Sequence, residues 1–157
     1  MSIPATVVEY LGQAGVDYQV VAHPHSESSM RTAEVAHVSG EAVAKGVLLK
    51  DADGYVLAVL PATHSVMISS VQELLDRPLE TAPEIDLQIV FADCEFGAVP
   101  AIGAAYQVDT IIEESLRSQP KIYFEAGDHE ELIAVSGADF ELLLEKSPYL
   151  QFGTHTH

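Results

Sequence analysis

The spacing of apolar and polar positions changes several times along the chain, and each change marks an element. Val7, Val8 and Leu11 recur at helical intervals, with Ser2 placed to cap, Pro4 in the opening turn and Gly15 as the stop. Residues 17–22 have the short apolar pattern of a strand and run into the polar loop His23-Pro24-His25-Ser26. Residues 32–37 and 41–44 read as two short helical pieces split by Ser39-Gly40. The strongest local signal is a hairpin. Residues 47–50 and 55–60 flank Asp51-Ala52-Asp53-Gly54, with glycine where the turn needs a positive φ.

Pro61 ends that pair. A helix begins at Ser69 or Ser70, carries Val71, Leu74 and Leu75, and stops before Pro78; a second runs from Pro83 through Ile85, Ile89 and Val90. A Gly/Pro loop follows, residues 106–112 mix strand and turn character, and residues 121–125 are a strand. Gly127-Asp128 turns the chain so that residues 131–135 pair back, and Ser136 caps a helix over 139–146 whose Phe140, Leu143 and Leu144 share a face. Residues 153–157 read as a frayed end. Strands and helices intermix without a βαβ rhythm, which predicts an α+β fold on a mixed sheet.

A chain of 157 residues, 48% apolar, is sized for one domain with a real core, expected over residues 1–150 with 151–157 as a flexible tail. No apolar run nears the ~18 residues of a membrane span, and the N-terminus lacks a signal peptide's basic start, so a soluble, cytoplasmic monomer with no membrane partner is expected. The single cysteine, Cys94, has no internal disulfide partner, and its neighbours Asp93 and Glu95 disfavour a thiolate. Charge changes the picture more. With 24 acidic and 7 basic residues, formally −17, the chain repels polyanions over most of its surface. Seven scattered cations build no basic face, which excludes DNA and broad nucleic-acid binding. A saline environment, where screening shortens repulsion, is one setting for such acidity.

Against this background Lys45 stands out, a lone cation opening the apolar run Gly46-Val47-Leu48-Leu49. Two further segments have chemical potential: the loop Gly97-Ala98-Val99-Pro100-Ala101-Ile102-Gly103 and the turn Gly127-Asp128-His129-Glu130-Glu131. A cationic donor, a loop able to expose backbone N–H groups and a polar turn together suit an anionic or carbonyl-bearing ligand. The residues alone equally allow a strand-end lysine with a wet ammonium, an ordinary tight turn and a solvated hairpin. His23-x-His25 and His155-x-His157 invite a metal, yet no third ligand sits at a characteristic interval. Ser65, Ser69 and Ser70 near His64 lack nucleophile-elbow glycines.

The order of these segments resembles the YbaK/ProX-type aminoacyl-tRNA editing domains. It runs from Lys45, through Leu60-Pro61-Ala62 and Cys94-Glu95-Phe96-Gly97-Ala98-Val99-Pro100, to Phe124-Glu125-Ala126-Gly127-Asp128-His129-Glu130-Glu131-Leu132-Ile133 and Ser136-Gly137-Ala138-Asp139-Phe140. The likeness extends over about residues 18–144. It implies a mixed, barrel-like β-sheet surrounded by helices, and hydrolysis of the ester joining a wrong amino acid to transfer RNA by a free-standing, trans-acting member. Lys45 and Gly97 match the family's functional lysine and loop glycine, Pro100 its loop proline, and Asp128-His129 a polar site position. Ala98 and Val99 lie within the same loop. No cofactor is implied; the partners implied are the aminoacyl-tRNA acceptor end and a synthetase. Two departures touch the pocket: Gly46, where members often carry a polar or β-branched residue, and Pro100-Ala101-Ile102-Gly103, which lacks a second proline and an aromatic.

An activated ester needs no protein nucleophile, only a positioned water and donors for the developing oxyanion. The acidity conflicts with a polyanionic substrate unless Arg31, Lys45 and Lys50 cluster at the pocket mouth, or recognition is confined to the single-stranded acceptor end. Two other classes stay open: a non-catalytic module of this fold that recognises a free amino acid, a nucleotide-like ligand or a protein, and a metal-dependent hydrolase.

Overall fold

In the computed structural model, which describes residues 3–156, a first helix, α1 (Ala5–Ala14), forms where its spacing predicts. Pro4 occupies the cap position, Ser2 lies outside the described residues, and Gly15 ends the helix at φ 68°. Val7 and Leu11 are fully buried, whereas Val8 faces out. β1 (Gln19–Ala22) leads through the polar loop to α2 (Ser29–Val35), whose N-cap Ser28 accepts a hydrogen bond from the Arg31 N–H. The second expected helical piece is only a 3-10 turn at Gly40–Ala42. Val43 and Ala44 belong instead to β2 (Val43–Asp51), because their side chains fill apolar core on either side of the sheet.

The hairpin is longer than its sequence signal: β2 pairs antiparallel with β3 (Gly54–Pro61) along its whole length from Ala44 to Asp51. Asp51 Oδ1 accepts from the Asp53 and Gly54 amides, and Gly54 takes φ 138°. Arg77 forks onto both Asp51 oxygens at 2.8 and 2.7 Å. These bonds, that to Arg77 foremost, lower the Asp51 carboxyl from 3.8 to about 2. A depressed carboxyl stabilises the fold above its unfolded value and loses that contribution as pH falls through the folded one. Asp51→Asn is therefore expected to destabilise the protein at neutral pH and to converge with wild type near pH 2, as read by melting temperature across the range from 3.8 down to about 2.

Beyond the hairpin come β4 (His64–Val66), α3 (Ile68–Leu75), β5 (Glu80–Thr81) and α4 (Glu84–Val90). The α4 helix forms as predicted, yet Ile85 and Ile89 are exposed, and its buried residue is Asp86, bonded by Lys50 and Tyr55. The remaining elements are β6 (Asp109–Glu113), β7 (Lys121–Glu125), β8 (Glu131–Ser136), α5 (Gly137–Leu143), β9 (Tyr149–Leu150) and β10 (Gly153–His155). Ser136 caps α5, as its sequence position predicts.

The main sheet runs β1-β8-β7-β2-β3-β6-β9, with β5 also on β2, and it mixes parallel and antiparallel pairs. Along β3, Leu57 and Val59 enter one core with Leu11, Ile102, Phe124 and Phe140, while Val56, Ala58 and Leu60 enter another with Val71 and Phe152. Burial on both faces explains the strand's unbroken apolar run. Rather than fraying, residues 153–155 pair with β4. Glu113 Oε2 accepts from the Phe152 and Gly153 amides at 2.8 and 2.7 Å, and the Phe152 ring is buried.

Sheet topology leaves an opening along β2. The β2 edge opposite β3 is covered by β7 at Val43 and Ala44 and by β5 at Leu49 and Lys50. Between them, among the described residues, no strand partners residues 45–47 on that edge, and the Leu48 carbonyl accepts from the Ala82 amide at 2.9 Å.

Candidate functional site

A cavity of about 60 Å³ lies at this opening, lined by Val43, Ala44, Lys45 and Gly46 of β2, Gly97 and Val99 of the Gly/Pro loop, and Glu125, His129 and Leu132 of β7, β8 and their turn. The polar loop and the start of α2 complete it with Ser26, Glu27, Ser28, Ser29 and Thr32. At about 10–15 Å³ of such space per water, it holds a few non-hydrogen atoms.

Lys45 is half-buried; its Nζ donates to the Ala62 carbonyl at 3.4 Å. Among the described residues no carboxylate lies within ion-pair distance of it, and burial lowers its pKa from 10.5. It is the only lysine or arginine lining the cavity among the described residues. The expected cationic cluster does not form. Arg31 is exposed, pairs with Glu34 at 2.8 Å and is not a lining residue. Lys50 sits five residues along β2, roughly 16 Å away at strand spacing, and binds Asp86 at 2.7 Å.

The turn after β7 is built on two carboxylates. Glu125 Oε1 accepts from the Gly127, Asp128 and His129 amides at 3.0, 3.1 and 3.0 Å. Asp128 Oδ1 accepts from the Glu130 and Glu131 amides at 3.0 and 2.9 Å. Successive amides converging on one oxygen form a nest of the kind that otherwise binds free anions. Asp128 is buried and serves this turn without lining the cavity. Hydrogen bonding with Asp128, reinforced by repulsion, raises the Glu131 carboxyl above its ordinary value.

His129 is also buried, far from the solvated turn that its flanking residues suggest. Its backbone takes φ 62°, and its Nε2 donates to the Phe96 carbonyl at 2.7 Å, which fixes the proton on that nitrogen when the ring is neutral. The bond ties the turn to the Gly/Pro loop. Gly97 follows at φ 79°, a conformation that suits glycine, and a side chain there would stand 3.9 Å from the His129 ring. Ala98 and Pro100 are buried behind the loop and do not line the cavity. The Ala98 amide donates to the Glu95 carbonyl, whereas those of Gly97 and Val99 have no protein acceptor among the described residues.

The hydroxyl wall escaped the sequence reading. Thr32 Oγ1 donates to Ser26 Oγ at 3.0 Å, and Ser26 Oγ to the Ser28 carbonyl at 3.3 Å. The signal was the Ser26-Glu27-Ser28-Ser29 cluster before a short helix, which reads equally as capping. The Cys94 thiol is pushed up to about 12, by burial first and by Asp93 and Glu125 after it, a different leading cause from its flanking charges. His23 bonds the Pro24 carbonyl, and the His25 ring lies tilted at 55° against that of His129 with centroids 5.4 Å apart. Among the described residues no three histidine, cysteine or carboxylate side chains group as metal ligands.

A family model for the aminoacyl-tRNA editing domain matches residues 23–143, from the polar loop through α5. The chain belongs to that family. Solved structures share its fold. A candidate trans-editing enzyme for prolyl-tRNA synthetase superposes with a TM-score of 0.84 at 15% identity, covering 98% of this chain and 99% of the other. A hypothetical protein gives 0.84 at 18% identity, over 95% and 99% of the two chains. A candidate signal-transduction protein from Marinobacter aquaeolei VT8 gives 0.80 at 16% identity, over 98% of this chain but 31% of that one. No curated protein matches the editing-domain chain. Among its described residues no helix is long and apolar enough to cross a membrane.

Proposed function

We propose that this editing domain acts in trans to hydrolyse the ester between transfer RNA and a small, wrongly attached amino acid, without a metal. The observation that carries this reading is that Lys45 and Gly97, 52 positions apart, line one small cavity. The cavity's few-atom capacity suits a small acyl side chain, and the Gly97 and Val99 amides are available to hold the carbonyl as negative charge develops. The Lys45 ammonium, unpaired with any described carboxylate, stabilises that oxyanion or the acceptor-end phosphate. Water enters from the hydroxyl wall, and an adjacent ribose hydroxyl of the substrate assists it. His129 holds the loop through the Nε2–H bond to the Phe96 carbonyl.

A single lining lysine or arginine among the described residues implies few phosphate contacts, so the acceptor end is bound mainly through its bases, sugars and acyl group. Transfer-RNA affinity is expected to be weak, with a log–log salt slope equivalent to fewer than about six neutralised phosphates. Titration from low to moderate salt by filter binding measures it, and a steeper slope contradicts this mode of binding.

The same scarcity of charge favours a second reading, a non-catalytic module that holds a free amino acid, a nucleotide-like ligand or a protein partner. Transfer RNAs charged with alanine, serine, cysteine or proline, incubated with and without chelator, separate the two. Chelator-resistant hydrolysis supports the deacylase; chelator-sensitive turnover favours a metal-dependent hydrolase. No turnover on any of them, with a free small ligand retained, supports the module. Delivery by a synthetase is a further part of this proposal, tested by whether added synthetase raises turnover.

A further inference from the structure

Gly46 lies beside Lys45 on β2 and lines the cavity, yet a side chain there would point at other protein atoms. A Cβ at position 46 would stand 3.0 and 3.3 Å from the two methyls of Leu57 and 3.2 Å from Val99 Cγ1. The missing side chain is thus the seat on which Val99 rests. We infer that Gly46 and Val99 together determine which acyl groups the cavity admits, Val99 forming the wall that limits their size and Gly46 setting how far back that wall stands. The inference deepens the deacylase reading and rests on it.

The two neighbours of position 46 differ in their freedom to yield. Leu57 is fully buried in the main core and lies opposite Leu48 in the hairpin, where close packing resists displacement. Val99 is half-buried on a loop. The loop is held on both sides of it: Ala98 and Pro100 are buried, the Ala98 amide binds the Glu95 carbonyl, and His129 holds the Phe96 carbonyl at 2.7 Å. With its backbone so restrained, Val99 answers a new methyl group at position 46 by turning its side chain. Turned toward the cavity that it lines, the side chain takes up part of about 60 Å³, which leaves little to lose. Gly46→Ala therefore narrows the site, Val99→Ala widens it, and the double substitution removes the clash that the first one creates.

The test compares kcat/KM for wild type, Gly46→Ala, Val99→Ala and the double variant on transfer RNAs charged with glycine, alanine and valine, with melting temperatures alongside. One methylene in an apolar pocket changes discrimination by about 10–200-fold, so Val99→Ala is expected to raise the valine-to-alanine ratio by roughly 10–100-fold. Gly46→Ala is expected to lower the alanine-to-glycine ratio by about tenfold. The double variant returns both ratios toward wild type. A folding defect lowers all three substrates together and leaves the ratios alone; that result, from an active wild type, overturns the inference while the deacylase reading stands. A wild type inactive on every charged transfer RNA removes both.

Discussion

Lys45→Met is expected to abolish turnover while leaving the fold at least as stable as wild type. If the ammonium faces the developing oxyanion, its removal costs about 10²–10³ in kcat, the range seen when one such donor is lost. Stability moves the other way because the amine does little for the fold. It makes one long hydrogen bond to the Ala62 carbonyl, lacks a carboxylate partner among the described residues, and is partly desolvated, which lowers its pKa from 10.5. A lysine whose folded pKa is lowered binds its proton less well in the folded state than in the unfolded one. The charge then opposes folding fully below the lowered value, and the opposition fades as pH rises toward 10.5. Methionine keeps most of the apolar stem and carries no charge, so a small gain in stability is expected at neutral pH, shrinking at alkaline pH. Melting curves at pH 7 and above pH 10.5, beside single-turnover deacylation, measure both effects. Full activity in the variant would sink the proposed role, and a collapse in stability would make the lysine structural.

The same contrast explains which parts of the site were legible in the sequence. Local chemistry could be read directly: the β2–β3 turn through Asp51 and Gly54, the α5 cap at Ser136, and the breaks at Gly97 and Pro100. Lys45 was visible because a cation is conspicuous in so acidic a chain. Partners chosen by the tertiary fold were not visible. Lys50 finds Asp86 across 36 positions, which removes it from the pocket, and Arg31 is taken by Glu34 one helical turn away. Glu113 captures the amides of residues 152 and 153 from 39 and 40 positions away, so the expected loose end became a strand. The cavity itself exists because β7 leaves β2 after Ala44 and β5 joins it only at Leu49, a property of register that no motif encodes. Glu125 and the hydroxyl wall were missed for that reason.

Glu125 carries the second large effect. One of its oxygens receives three consecutive amides, and these hold His129 at φ 62°, where a non-glycine residue costs about 1–2 kcal/mol. Glu125→Ala leaves those donors without their acceptor and the left-handed turn without its brace. Hydrogen bonds to a charged group contribute about 1.5–3 kcal/mol each but do not add in full, so a loss of about 3 kcal/mol overall is expected. In a domain of this size that corresponds to a fall of roughly 6–12 °C in melting temperature. Glu125→Gln retains an amide oxygen in nearly the same place and is expected to lose only about 1 kcal/mol. Activity should fall in the same order for a reason beyond stability. The Glu125 turn positions the His129 ring, the ring holds the Phe96 carbonyl, and that carbonyl sets the conformation in which Gly97 faces the cavity. Deacylation assayed well below each variant's melting temperature separates the two contributions. Glu125→Ala slowed about tenfold or more while still folded, with Glu125→Gln close to wild type, would establish the turn as the brace of the loop. Equal stability and activity in all three proteins would mean that the amides find other acceptors and that Gly97 is held by the loop alone.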